Sequence, residues 1–179
     1  MSAQKKSSRH SPALKSIAVP DGAQSAAARR LADAEVRSLI EKFAPTRGRL
    51  VSSLRRALRQ RMPTAHEVVY EYRDCVVISF SPSGNGYEGV LGLRASDQGI
   101  KLYFNRGQDL PDPARVLQGK GGQTRSLNVE TIGTLARPEV AALIDMAIAR
   151  NTVPFAKTGR GSVVIRSTTA QRRRQGDTT

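Results

Sequence analysis

HEVVYEYRDCVVISFSP, residues 66–82, holds two runs of alternating polarity on either side of a tight turn. In an extended chain successive side chains point to opposite faces. His66, Val68, Tyr70 and Tyr72 therefore share one face of a strand, and Glu67, Val69, Glu71 and Arg73 the other. Asp74 suits the turn, and a second strand follows with Val76, Ile78 and Phe80 opposite Cys75, Val77 and Ser79. The loop PSGNG (82–86) leads to a third strand, YEGVLGLRA, then the hairpin turn SDQG and a fourth strand, IKLYFNRG. Strands joined by such short turns pair antiparallel.

Outward from this core the period becomes helical. Val36, Leu39, Ile40 and Phe43 fall at i, i+3, i+4 and i+7, and this helix could begin near Ser25. Pro45 stops it. A second helix follows from Thr46 as N-cap, with Leu50, Val51, Leu54, Ala57 and Leu58 as its apolar stripe and Met62-Pro63 as its end. Beyond the fourth strand, PDPARVLQ reads as a short helix capped by Asp112 and closed by Gly119. TRSLNVE (124–130) reads as a fifth strand, RPEVAALIDMAIARN (137–151) as a strong helix, and SVVIRS (162–167) as one further possible strand. The expected fold class is α+β: an antiparallel sheet of about five strands with helices packed on one face. The domain is expected over residues 34–155, between a disordered basic N-terminal tail, 1–33, and a basic C-terminal tail, 156–179, that holds the possible strand at 162–167.

Composition narrows the function classes. The chain has 179 residues, one domain's worth, and its 4% aromatic content leaves the core to aliphatic side chains. No run approaches the length of a membrane span, no secretory signal is expected, and Cys75 is the sole cysteine, so a cytoplasmic setting is expected. Net charge is +14. Residues 1–33 carry six Lys/Arg against two acids, residues 34–155 seventeen against twelve, and residues 156–179 six against one. Most of the surplus thus sits in the ends, Arg172, Arg173 and Arg174 included. Such ends either contact a polyanion through its phosphates or are simply solvated.

Three segments, MPTAHEVVYEY, GIKLYFNRGQDLPDP and VLQGKGGQTRSLNV, in this order and spacing, resemble the YdhG-like domain family. The resemblance covers residues 35 to 151. It implies a frataxin-like fold and a bacterial domain of no agreed activity, one branch of which is linked to iron handling. It also matches Glu67 to the acid of the family's P-x-x-x-E pattern, and Arg125 to a recurring arginine.

A phosphate-binding P-loop needs its glycines to open a helix. The glycines of LQGKGGQTR (117–125) instead follow a helix and precede a strand, so Lys120 and Arg125 could hold only a smaller anion by side chain. Arg125 could equally pair with an acid such as Glu67. Glu67 and Glu71 are about 13 Å apart along one strand, too far to serve as paired carboxylates. With two histidines and one cysteine, no metal centre is expected. Cys75 reads as a core thiol, and no catalytic motif is present. The most suggestive stretch is RGRLVSSLRRALRQR (47–61), with six arginines and no acid between Glu41 and Glu67.

Two function classes follow. The first is a non-enzymatic binding or accessory protein that contacts nucleic acid or an acidic protein through Arg55, Arg56, Arg59, Arg61 and the tails. The second is a carrier of iron or a small ligand, with a pocket near Glu67, Tyr70, Arg106, Lys120 and Arg125. No cofactor is expected; iron enters only under the second reading.

Overall fold

The computed structural model describes residues 24–167. Helix α1 (Ala26–Glu41) is followed by α2 (Pro45–Arg61), then strands β1 (His66–Glu71), β2 (Cys75–Ser81), β3 (Leu91–Ser96), β4 (Gly99–Phe104) and β5 (Arg125–Asn128), helix α3 (Pro138–Ala149) and strand β6 (Val163–Ser167). Short 3-10 turns at Gly86–Glu88, Gly107–Asp109 and Ile132–Ala136 complete the fold. It is α+β, with one six-stranded sheet in the order β5-β4-β3-β2-β1-β6.

The hairpins β1–β2, β2–β3 and β3–β4 pair antiparallel, as the short turns require, and β4–β5 does likewise. The sheet is nonetheless mixed. The possible strand at the C-terminal end is a full member, β6, and it lies parallel to β1, with Glu67 opposite Val163 and Tyr70 opposite Arg166. A parallel partner needs a long crossover, and the chain through β2–β5 and α3 supplies it. No short-range signal announces such pairing.

Alternation divides the sheet into two faces. Val69, Val76, Ile78, Phe80, Leu91, Leu93, Leu102, Phe104 and Leu127 point toward the helices and join Val36, Leu39, Ile40, Val51, Leu54, Leu58, Val140, Leu143 and Ile144 in one core. Of the β2–β3 aliphatics on that face, Ile78, Leu91, Leu93 and Ala95 are 1% exposed or less and Val76 is 5% exposed, so the strands of residues 66–104 set the core's floor.

The domain is wider than the expected 34–155. Ser25 caps α1, its hydroxyl accepting from the Ala28 N–H. Gln24 pairs with β6 through both ends of its amide: Nε2 donates to the Val163 carbonyl and Oε1 accepts from the Val163 N–H. The start of α1 thus occupies part of the outer edge of β6, which would otherwise be an open pairing surface. Pro45, expected to stop α1, is also the first residue of α2, where its missing N–H costs nothing. The expected helix at 111–118 is absent. There the Asp112 carboxylate accepts from the N–H groups of Val116 and Leu117, a local turn that competes with helix, and Arg115 takes a positive φ of 52°.

Candidate anion-binding groove

Arg55 lies between Leu54 and Leu58 on the buried stripe of α2, and it is itself buried. Beneath it on β1 is Glu67, 1% exposed. Arg55 Nε donates to Glu67 Oε2 at 2.5 Å, and its Nη2 donates to Asp33 of α1 at 2.6 Å. Arg59, one turn further along α2, donates to Asp33 at 3.2 Å. Arg59 Nε also stands 2.8 Å from Glu67 Oε1. That oxygen accepts no well-directed hydrogen bond and is the one buried side-chain polar atom without one among the described residues. Two arginines and two carboxylates therefore join α1, α2 and β1 in a single ionic cluster. Burial opposes ionisation of Asp33, but its hydrogen bond to Arg55 and the charges of Arg55 and Arg59 outweigh that, holding its carboxyl below its ordinary value.

Above this cluster lies an open groove of about 550 Å³. Arg29 and Arg37 of α1, Arg55, Arg56 and Arg59 of α2, and Arg160 ahead of β6 line it, and Asp33 is its one lining acid among the described residues. Arg29 donates to the Gly161 carbonyl and lies 3.9 Å from Asp33. Burial, then the neighbouring charge of Arg59, lowers the Arg29 guanidinium from its ordinary value, with Arg160 adding to the effect. The groove thus holds more positive charge than its carboxylates compensate. An anion placed there would relieve that repulsion.

The structure distributes the expected site residues as follows. Arg55, Arg56 and Arg59 come together in the groove, but Arg55 and Arg59 already serve Glu67 and Asp33, contrary to a helix with no acid partner. Arg61 points elsewhere and pairs with Asp145 of α3 at 3.3 Å. Arg172, Arg173 and Arg174 lie outside the described residues. Sequence reasoning missed Arg29, Arg37, Asp33 and Arg160. Arg55 carried a usable signal: at i+4 from Val51 it falls inside the apolar stripe, where a charge demands a buried partner.

The pocket of Glu67, Tyr70, Arg106, Lys120 and Arg125 does not assemble. Glu67 and Arg125 stand on the same face in one cross-sheet row, which runs through Phe80, Leu91 and Phe104. That places them four strands apart, about 19 Å at the usual spacing. Tyr70 projects from the opposite face to Glu67, as alternation requires. Arg125 instead donates to the carbonyls of Gly121, Gly122 and Thr124 at 2.8–3.0 Å, closing the glycine loop on itself. Arg106 pairs with Asp109 at 3.1 Å, and Lys120 is exposed on the loop. Gly119 and Gly122 have positive φ, 132° and 24°; this is a turn, with no helix opening from it. Cys75 is buried. No group of three or more His, Cys, Asp or Glu gathers among the described residues, and none of their helices is long and apolar enough to cross a membrane.

Comparison with known proteins adds no relative. No protein-family model, curated protein or solved structure matches this chain.

Proposed function

We propose that this chain is a non-enzymatic binding protein whose α1–α2 groove takes phosphate groups, those of nucleic acid foremost. The observation that carries the reading is the convergence of six arginines on a groove with one lining carboxylate. Guanidinium is suited to this task because its fixed fork of donors matches phosphate oxygens. Arg37 and Arg56 are exposed and have the freest reach, while Arg55 and Arg59 are held in place from below by Glu67. The cluster therefore acts as a scaffold that orients cations, and the outer arginines make the contact.

The resemblance to the YdhG-like family belongs to this reading, with a frataxin-like arrangement of the helix layer as its finer form; a helix layer on one face of a mostly antiparallel sheet agrees with it. Carriage of iron would ask for open carboxylates. Asp33 and Glu67 are both engaged by arginines, which favours the anion reading. The buried Cys75 suits a cytoplasmic protein.

The test is anisotropy of a labelled oligonucleotide bound to the full chain, titrated with salt from about 50 to 200 mM. Affinity should fall steeply, and Arg37→Glu and Arg56→Glu should each weaken binding and flatten the log–log salt slope by about one. Salt-independent binding, or unchanged affinity in both variants, refutes the reading. Competition by polyglutamate as effective as that by DNA would transfer the site to an acidic protein.

A further inference from the structure

The sheet face turned away from the helices carries Tyr70 and Tyr103 on its strands and Tyr72 just beyond β1, and the loop that bears Tyr87 rests against it. The four phenylalanines are placed otherwise: Phe80 and Phe104 are in the core and Phe43 and Phe155 pack against it. Tyr70 (β1) and Tyr72, just beyond it, stack with ring centroids 6.2 Å apart and planes 19° from parallel. The loop between β2 and β3 lies against the Tyr70 hydroxyl at Gly86, and Tyr87 is the next residue along it. Tyr72 is 42% exposed and Tyr87 75%. Tyr103 (β4) lies on the same face, in one cross-sheet row with Gly92 and Ser79.

Two glycines fix this arrangement. A Cβ at Gly86 would fall 1.7 Å from the Tyr70 hydroxyl, so the loop rests directly on that ring. A Cβ at Gly92 would fall 2.5 Å from the Tyr103 hydroxyl, so the bare backbone of β3 lets this ring lie against the sheet. The half-buried rings are seated by backbone, and the exposed ones stand beside them.

The same face is cationic. One cross-sheet row runs Arg166, Tyr70, Val77, Arg94 and Lys101, and the next runs Val164, Val68, Ser79, Gly92, Tyr103 and Ser126. No strand position on this face carries an acid among the described residues. Asp74, in the β1–β2 turn, lies 4.0 Å from Arg94 at its margin, and Glu88 bonds to Ser83 in the loop. Aromatic rings for base faces, among cations for phosphates, are the two components of single-strand recognition. A duplex, whose bases are stacked on one another, offers nothing to such rings.

We infer that this tyrosine-bearing face binds single-stranded nucleic acid, with bases stacked on Tyr72 and Tyr87 and phosphates met by Arg94 and Lys101. This deepens the phosphate-binding reading above, yet it rests on a different face and different residues. The chain has no tryptophan, so its intrinsic fluorescence comes from these tyrosines alone and reports on the face itself. An oligothymidylate and a duplex of matched charge are titrated into the full chain, following tyrosine emission and, separately, anisotropy of the labelled nucleic acid. The single strand should quench tyrosine emission and the duplex should not. Tyr72→Ala and Tyr87→Ala should each weaken single-strand binding about tenfold and leave duplex binding within twofold, while Tyr72→Phe and Tyr87→Phe keep wild-type affinity. If the single strand binds with silent tyrosines, or the double alanine variant binds it within twofold of wild type, this inference is overturned and the groove reading stands. If neither nucleic acid binds, both fall.

Discussion

Replacing Glu67 by glutamine changes one atom and removes one charge from the centre of the ionic cluster. Glu67 is 1% exposed, and the Arg55 side chain above it is 8% exposed. The variant leaves the Arg55 guanidinium buried, with only Asp33, 2.6 Å away, to balance it, and it leaves Arg59 with a single partner. Removing one member of a buried pair typically costs about 3–5 kcal/mol. The loss should fall toward the low end, about 3 kcal/mol, because glutamine still offers an oxygen to Arg55 and Asp33 stays in place. For a domain of this size, with an unfolding entropy near 0.3 kcal/mol per degree, that is a fall in Tm of about 10 °C. Chemical denaturation at neutral pH, compared with thermal melting, would measure it. A double-mutant cycle with Arg55→Gln should show strong coupling, since either change alone strands its partner. A loss under about 1 kcal/mol, or additive effects in the cycle, would show that the cluster does not join α1, α2 and β1 as described.

Two further outcomes follow from named contacts. His66 Nδ1 accepts from the Ser162 N–H at 3.1 Å, and burial, then the charge of Arg29, lowers its pKa. A histidine with a depressed folded pKa contributes stability that is complete above its unfolded value, about 6.5, and lost as pH falls through that value toward the lower folded one; the protection of the Ser162 and β6 amides, corrected for intrinsic exchange, should therefore fall below about pH 6.5, and His66→Gln should abolish that dependence. Arg125→Ala removes donations to three carbonyls of the 121–124 loop and should cost only about 1 kcal/mol, with faster exchange confined to that loop; a loss near that of Glu67→Gln would mean that Arg125 has a buried partner after all.

Much of the architecture is legible in local pattern. Alternation over residues 66–104 predicts four strands and the faces they present, because the pleat leaves a side chain no third direction. The stripe at Val36, Leu39 and Ile40 and that at Val51, Leu54 and Leu58 predict two helices, because a helix has one side to bury. The helix expected at 111–118 fails because Asp112 can satisfy the following N–H groups without one. The parallel pairing of β6 with β1 and the role of Gln24 escape because they join residues 96 and 139 positions apart, and no periodicity carries information over that range.

What the sequence alone determines here is which side chains share a face: periods of 2 and 3.6 follow from backbone geometry and need no neighbour. What only the tertiary structure decides is which face meets which. Arg55 and Arg59 looked uncompensated because no acid lies within their own helix, yet Asp33 and Glu67 reach them from α1 and β1. Four sparse tyrosines become one surface because β1, β4 and the loop after β2 converge there. Charge and aromatic neighbourhoods of this kind depend on distances through space, and packing sets those distances.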